Sequence, residues 1–150
     1  PGNPLSHTMN LGNEYVAING VRASEFLLNS YTAGYYGVPV AFLSGDADLC
    51  AFARELIPEI VTVPVNRGVG GGVVSLHPAV AVERIRAGAE EAVKKARELA
   101  DEGKAIVLRP SADYGVTRYT SDKELLQRWF DLGYEDTEKR LTMIREFMES

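Results

Sequence analysis

A chain of 150 residues is about one domain, long enough to bury an ordinary core. Its 16 basic residues against 21 acidic ones give a net charge of −5, and no basic cluster stands out, so nucleic acid is excluded as the main partner. No apolar run approaches the roughly 20 residues of a membrane span, and no signal peptide is visible. The lone Cys50 has no internal disulfide partner, so a cytoplasmic location is expected.

Residues 1–10 are rich in Pro and Gly and read as a loop carrying Ser6-His7-Thr8-Met9. A histidine in a loop is either solvated and structural or, because it titrates near neutral pH, a proton-transfer group. Residues 15–18 alternate as a strand does, and Asn19-Gly20 is a type I′ hairpin signal. The return strand delivers the chain to Ser24, an N-cap, with Glu25 in the first helical turn. On its own, Glu25 reads as a partner of the helix dipole. The sharper reading, a metal ligand, needs companions. Phe26, Leu27, Tyr31, Gly34 and Tyr35 share one helical face, with Gly34 available for close packing, and Gly37-Val38-Pro39 stops the helix.

Residues 40–43 are a continuous apolar run of strand length. Asp46 is placed to cap a helix over 47–57, in which Cys50, between Leu49 and Ala51, reads as a small buried residue rather than a nucleophile. Residues 60–65 are the next strand, completing a βαβ unit. The run containing Gly68, Gly70, Gly71 and Gly72 matches neither phosphate-binding glycine spacing and is expected to be a flexible loop lining a cleft or a subunit contact. His77 precedes a helix-opening proline and reads as positional. Val82, Ile85, Ala89, Ala92, Ala96 and Leu99 form the stripe of a helix over 78–102.

Residues 105–109 read as a strand and 111–120 as a loop. A capping box at 121–124 opens a helix carrying Leu125, Leu126, Trp129 and Phe130, with Gly133 as its stop. A last helix over 137–148 turns Leu141, Ile144 and Met148 inward. No repeat and no dividing linker is present. The fold expected is α/β: one domain over residues 1–150, a three-layer α/β/α arrangement with a mainly parallel or mixed sheet and an N-terminal β-hairpin.

Taken in order, these pieces resemble the C-terminal half of the DppA-type D-aminopeptidases, binuclear zinc metallopeptidases. The resemblance rests on Ser6-His7-Thr8-Met9, on Ile18-Asn19-Gly20 followed by Glu25, and on Ala33-Gly34-Tyr35-Tyr36-Gly37-Val38-Pro39-Val40. It continues through Gly45-Asp46 and Glu55-Leu56-Ile57-Pro58, so it covers residues 6–78, about half of the chain. Ser24 stands where the family often has glycine. The last forty or so residues depart from the pattern, and nothing is carried over there. The resemblance implies that His7 is the catalytic residue, as nucleophile or proton-transfer group, and that Glu25 is a metal ligand. It implies a pair of zinc ions per complete site, short peptides of D-amino acids as substrates, and a closed homo-oligomer. The family's other ligands, an Asp-x-Glu pair and two further histidines, precede the His7 segment and have no counterpart in this chain. A separate N-terminal chain or segment is therefore expected to complete the site, whether Pro1 marks processing, proteolysis or truncation. Two readings from other classes stand beside this one. One is a non-catalytic ligand-binding domain that takes an anion on the glycine run. The other is an oligomer-assembly module built on the tyrosine-rich helix and that run.

Overall fold

The computed structural model describes residues 6–10, 12–117 and 119–149. They form two compact units, one within Pro1–Lys95 and one within Ala96–Ser150. Residues 1–5 of the expected N-terminal loop, and position 118 of the expected loop over 111–120, lie outside the described residues. The architecture is mixed α/β, with a two-stranded hairpin, a three-stranded mixed sheet and five helices among the described residues.

In the first unit, β1 (Ala17–Ile18) and β2 (Val21–Arg22) pair antiparallel, with Ile18 opposite Val21. Asn19 and Gly20 both have positive φ, 52° and 80°, the type I′ geometry that matches strand twist. The chain then enters α1 (Glu25–Tyr35), where Ser24 Oγ accepts the Leu27 N–H at 3.3 Å. The inward residues of α1 are Leu27 and Ser30. The wider face expected is not buried: Tyr35 is 84% exposed, and a side chain at Gly34 would meet nothing within 4 Å. The helix closes when Val38 N–H reaches Ala33 O and Gly37 N–H reaches Gly34 O, with Gly37 left-handed. That closure, before Pro39 can act, is what ends α1.

β3 (Phe42–Asp46), α2 (Ala47–Leu56) and β4 (Val61–Val69) form the expected βαβ unit, with β3 and β4 parallel. β3 starts and ends later than the apolar run suggested. The glycine run is not a free loop. β4 continues through it and pairs antiparallel with β5 (Gly72–Ser75), Val69 opposite Gly72, so Gly70 and Gly71 are only the turn. Val73 and Val74, β-branched residues suited to a strand, supply the partner that a glycine count hides.

The two faces of this sheet are covered by different helices. Arg54 of α2 donates to the Thr62 hydroxyl, and a Cβ at Gly45 would touch Leu49 of α2. On the opposite face α3 (Pro78–Asp101) brings Gly88 against Val63, Phe42 and Val61. Because side chains alternate along a strand, Thr62 points one way and Val61 and Val63 the other. The result is α2, sheet, α3: three layers. Leu27, Cys50, Ala53, Ile60, Val61, Val63 and Ala92 are the buried apolar residues.

In the second unit, α4 (Lys123–Glu138) and α5 (Leu141–Glu149) follow the last turn of α3. Several expectations fail here, and two side chains, Asp136 of α4 and Arg140 of the turn after it, bond backbone groups of the region before α4. Residues 105–109 are not a strand: they pair with no other strand among the described residues, and Arg140 donates to Val107 O at 3.0 Å while Asp136 accepts the Ser111 N–H at 2.7 Å. The cap of α4 is Asp122, which accepts the N–H groups of Glu124 and Leu125, rather than Ser121. Gly133 does not stop α4; the Thr137 hydroxyl bonds its carbonyl and the helix runs on to Glu138. Leu141 and Met148 are 38% and 78% exposed instead of turned inward.

Candidate active site

The segment after His7 is tied to the start of α1 by two bonds. The Thr8 hydroxyl donates to Ala23 O at 2.5 Å, and the Met9 N–H donates to Glu25 Oε1 at 3.2 Å. Ala23 is itself held, buried and with its N–H on Val16 O at 2.8 Å beside the hairpin. Thr8 O accepts the Asn10 N–H at 2.7 Å, an i to i+2 bond that makes a γ-turn with Met9 at φ 64°. His7 lies two residues from Met9, so its Cα is within ~7 Å of the Met9 Cα. The structure therefore brings the His7 segment and Glu25 together, although they lie on opposite sides of the hairpin in sequence.

Both His7 and Glu25 are exposed. Glu25 stands in the first turn of α1, where the helix dipole favours its charge. One carboxylate oxygen receives Met9; the other, Oε2, makes no hydrogen bond among the described residues. No three His, Cys, Asp or Glu side chains converge among the described residues. His77 lies far along the chain and serves a different purpose, because its Nδ1 accepts the Ala79 N–H at 3.3 Å and caps α3.

A second polar feature lies at the carboxyl end of β3, the edge where open α/β sheets collect ligands. Asp46 caps α2 through Oδ1, which accepts the Asp48 N–H at 2.9 Å. Its Oδ2 is buried without a hydrogen-bond partner, and so is Oδ1 of Asn66, its register neighbour on β4. Asn66 was not anticipated from sequence. The available signal was a strand-averse amide directly after an apolar strand. Cys50 is buried and unpaired, as expected, and burial raises its thiol pKa. No described helix is long and apolar enough to cross a membrane.

The glutamate at the start of α1 and the histidine-bearing segment are thus gathered in one place beside a βαβ sheet. Residues 1–123 match the model of the peptidase family described as D-aminopeptidase, and the chain belongs to that family. Over 78 residues it is 40% identical to the D-aminopeptidase of Bacillus subtilis (strain 168). That match covers 51% of this chain and 28% of the relative's length. No solved structure matches significantly. The matched region includes His7, Glu25, the sheet and α3, whereas nearly all of α4 and α5 lies beyond it.

Proposed function

We propose that this chain supplies part of the active site of a metal-dependent aminopeptidase that hydrolyses the N-terminal bond of short peptides of D-amino acids. The observation that carries the reading is the Met9 N–H to Glu25 bond, which folds the His7 segment onto the glutamate at the start of α1. It lies within the region the D-aminopeptidase family model matches. In this reading Glu25 is a metal ligand through Oε2 and His7 is the catalytic residue.

The donor chemistry fits zinc, which takes carboxylate oxygen and imidazole nitrogen, though one of each is too few for a pair of ions. The complete site then draws its remaining ligands from outside this chain, on an N-terminal chain or segment of a longer metallopeptidase. When bound, the two zinc ions lower the pKa of water and polarise the scissile carbonyl. What this chain's own residues contribute is separate. The Met9 N–H fixes the rotamer of Glu25 and leaves one oxygen for coordination. His7 carries the proton released as water attacks and delivers it to the amine that leaves when the C–N bond breaks. Direct attack by the imidazole is the alternative role, and an acyl-histidine trapped by rapid quench would select it. The adjacent Tyr35 and Tyr36, 84% and 73% exposed, support a homo-oligomer contact, and the free Cys50 supports a cytoplasmic setting. The glycine run, as a hairpin turn, gives the anion-binding alternative no support.

The test is a pair of substitutions in the complete enzyme. His7→Ala abolishes turnover of a D-alanyl dipeptide with zinc content intact. Glu25→Ala lowers zinc affinity by more than the roughly 10- to 100-fold that losing an outer-shell partner costs. Wild-type hydrolysis by purified His7→Ala enzyme would refute the assignment.

A further inference from the structure

We propose that Thr8 is a positioning residue for His7, acting through its hydroxyl bond to Ala23 O, with Glu25 as the second holder of the same segment. The inference rests on the proposed function for the role of His7, and on the geometry alone for the clamp.

Thr8 is an anchored residue within an exposed stretch. Ser6, His7, Met9 and Asn10 are exposed, and Thr8 alone among them is half-buried. Its hydroxyl donates inward to Ala23 O, while its carbonyl accepts from Asn10 N–H and from Asn13 Nδ2 at 3.1 Å. Three bonds on one residue leave it little freedom. Ala23, its target, is 2% exposed and joined to the hairpin, so the hydroxyl is fastened to a fixed point rather than to another loop.

Met9, one residue on, sits at φ 64°, a backbone region that L side chains seldom adopt. Such a conformation persists only where neighbours hold it, and here the holders are the γ-turn and the carboxylate of Glu25. The segment is therefore pinned just after His7 at two successive residues, from two directions. A threonine at position 8 has a physical reason: its hydroxyl reaches the carbonyl, which the isosteric valine cannot do. The Met9 N–H joins the segment after His7 to Glu25, so a metal drawing on Oε2 of Glu25 meets a carboxylate already orientated by that segment. The clamp touches neither β3 nor β4, so its loss leaves the sheet and its helices in place.

The experiment compares Thr8→Val and Thr8→Ser in the complete, zinc-loaded enzyme, with the His7 Cε1–H signal followed by NMR in each. Thr8→Val is expected to lower kcat by ~10²-fold, the loss that an ångström of misplacement produces, with KM and zinc content unchanged. The His7 signal shifts or broadens in the same variant. Thr8→Ser, which keeps the hydroxyl, is expected to restore both kcat and the signal. Wild-type kcat and an unmoved His7 signal in Thr8→Val would overturn the proposal, and so would a Thr8→Ser enzyme as slow as Thr8→Val. Should Thr8→Val fail to fold, amide exchange in the wild-type enzyme decides: a Met9 amide as fast as that of an unstructured peptide overturns the clamp. A fully active His7→Ala enzyme refutes the function itself, whereas an inactive His7→Ala beside a fully active Thr8→Val refutes only the positioning role.

Discussion

Alanine at position 88 would put a Cβ 2.6 Å from Val63 Cγ2 and 3.0 Å from Phe42 Cε2, closer than carbon atoms pack. Two effects oppose each other. Gly→Ala inside a helix gains about 1 kcal/mol from backbone propensity. Overpacking a filled interface costs about 1–3 kcal/mol. The structure decides which wins. Val63 is β-branched and stiff at χ1, only 9% exposed, and on a strand hydrogen-bonded to β3, so it has no easy retreat. The contact forces α3 away from the sheet, so the cost falls in the upper part of the overpacking range, about 2–3 kcal/mol, and a net loss of about 1–2 kcal/mol is expected. For a chain of this length that lowers the melting midpoint by roughly 3–6 °C. Thermal melts followed by far-UV circular dichroism measure the midpoint, and urea titration measures the loss of stability. Val63→Ala should partly relieve the clash, so the double variant departs from additivity by more than about 0.5 kcal/mol. A Gly88→Ala chain stabilised by about 1 kcal/mol, or an additive cycle, would show that glycine does not set the spacing between α3 and the sheet.

Two further predictions concern titrating groups. The Ser111 N–H holds the Asp136 carboxyl below its usual range, with Lys139 and Arg140 adding to the effect. A carboxyl depressed in the folded state contributes stability above its unfolded pKa, and the contribution is lost as pH falls through the folded value. Asp136→Asn should therefore flatten the acid side of the stability profile below about pH 4; an unchanged slope refutes the role of that bond. Cys50 behaves in the opposite sense. Burial raises its pKa, against the smaller opposing effect of Arg54, so its contribution holds below the ordinary thiol range and fades as pH rises through the folded value. The native chain should react with an aromatic disulfide reagent far more slowly than the urea-unfolded chain, and equal rates would contradict its burial.

The candidate site was legible where chemistry and local geometry coincide. Asn19-Gly20 specifies its turn through two residues that tolerate positive φ, and Ser24 specifies the start of α1 through an oxygen within reach of Leu27 N–H. His7 and Glu25 stood out as residue types. Their being joined through Met9 did not, because that bond spans 16 positions and depends on the hairpin folding the chain back. Thr8 and Asn66 were missed for the same reason: a hydroxyl or an amide acquires meaning only from the backbone or strand beside it.

The sequence by itself determined the hairpin, the βαβ unit, the caps of α1 and α2 and the length of α3, since each depends on neighbours a few residues apart. It misread the glycine run and the region after residue 104. There, only the tertiary structure decided. β5 exists because β4 offers a ladder for Val73 and Val74, and residues 105–109 are no strand because no strand among the described residues pairs with them. Gly88 makes the same point inside a helix: its value lies in the strand it touches, not in the turn it occupies. Local preference is written in adjacent residues, whereas the partner that satisfies a backbone group or fills a gap is supplied by whatever the fold brings alongside.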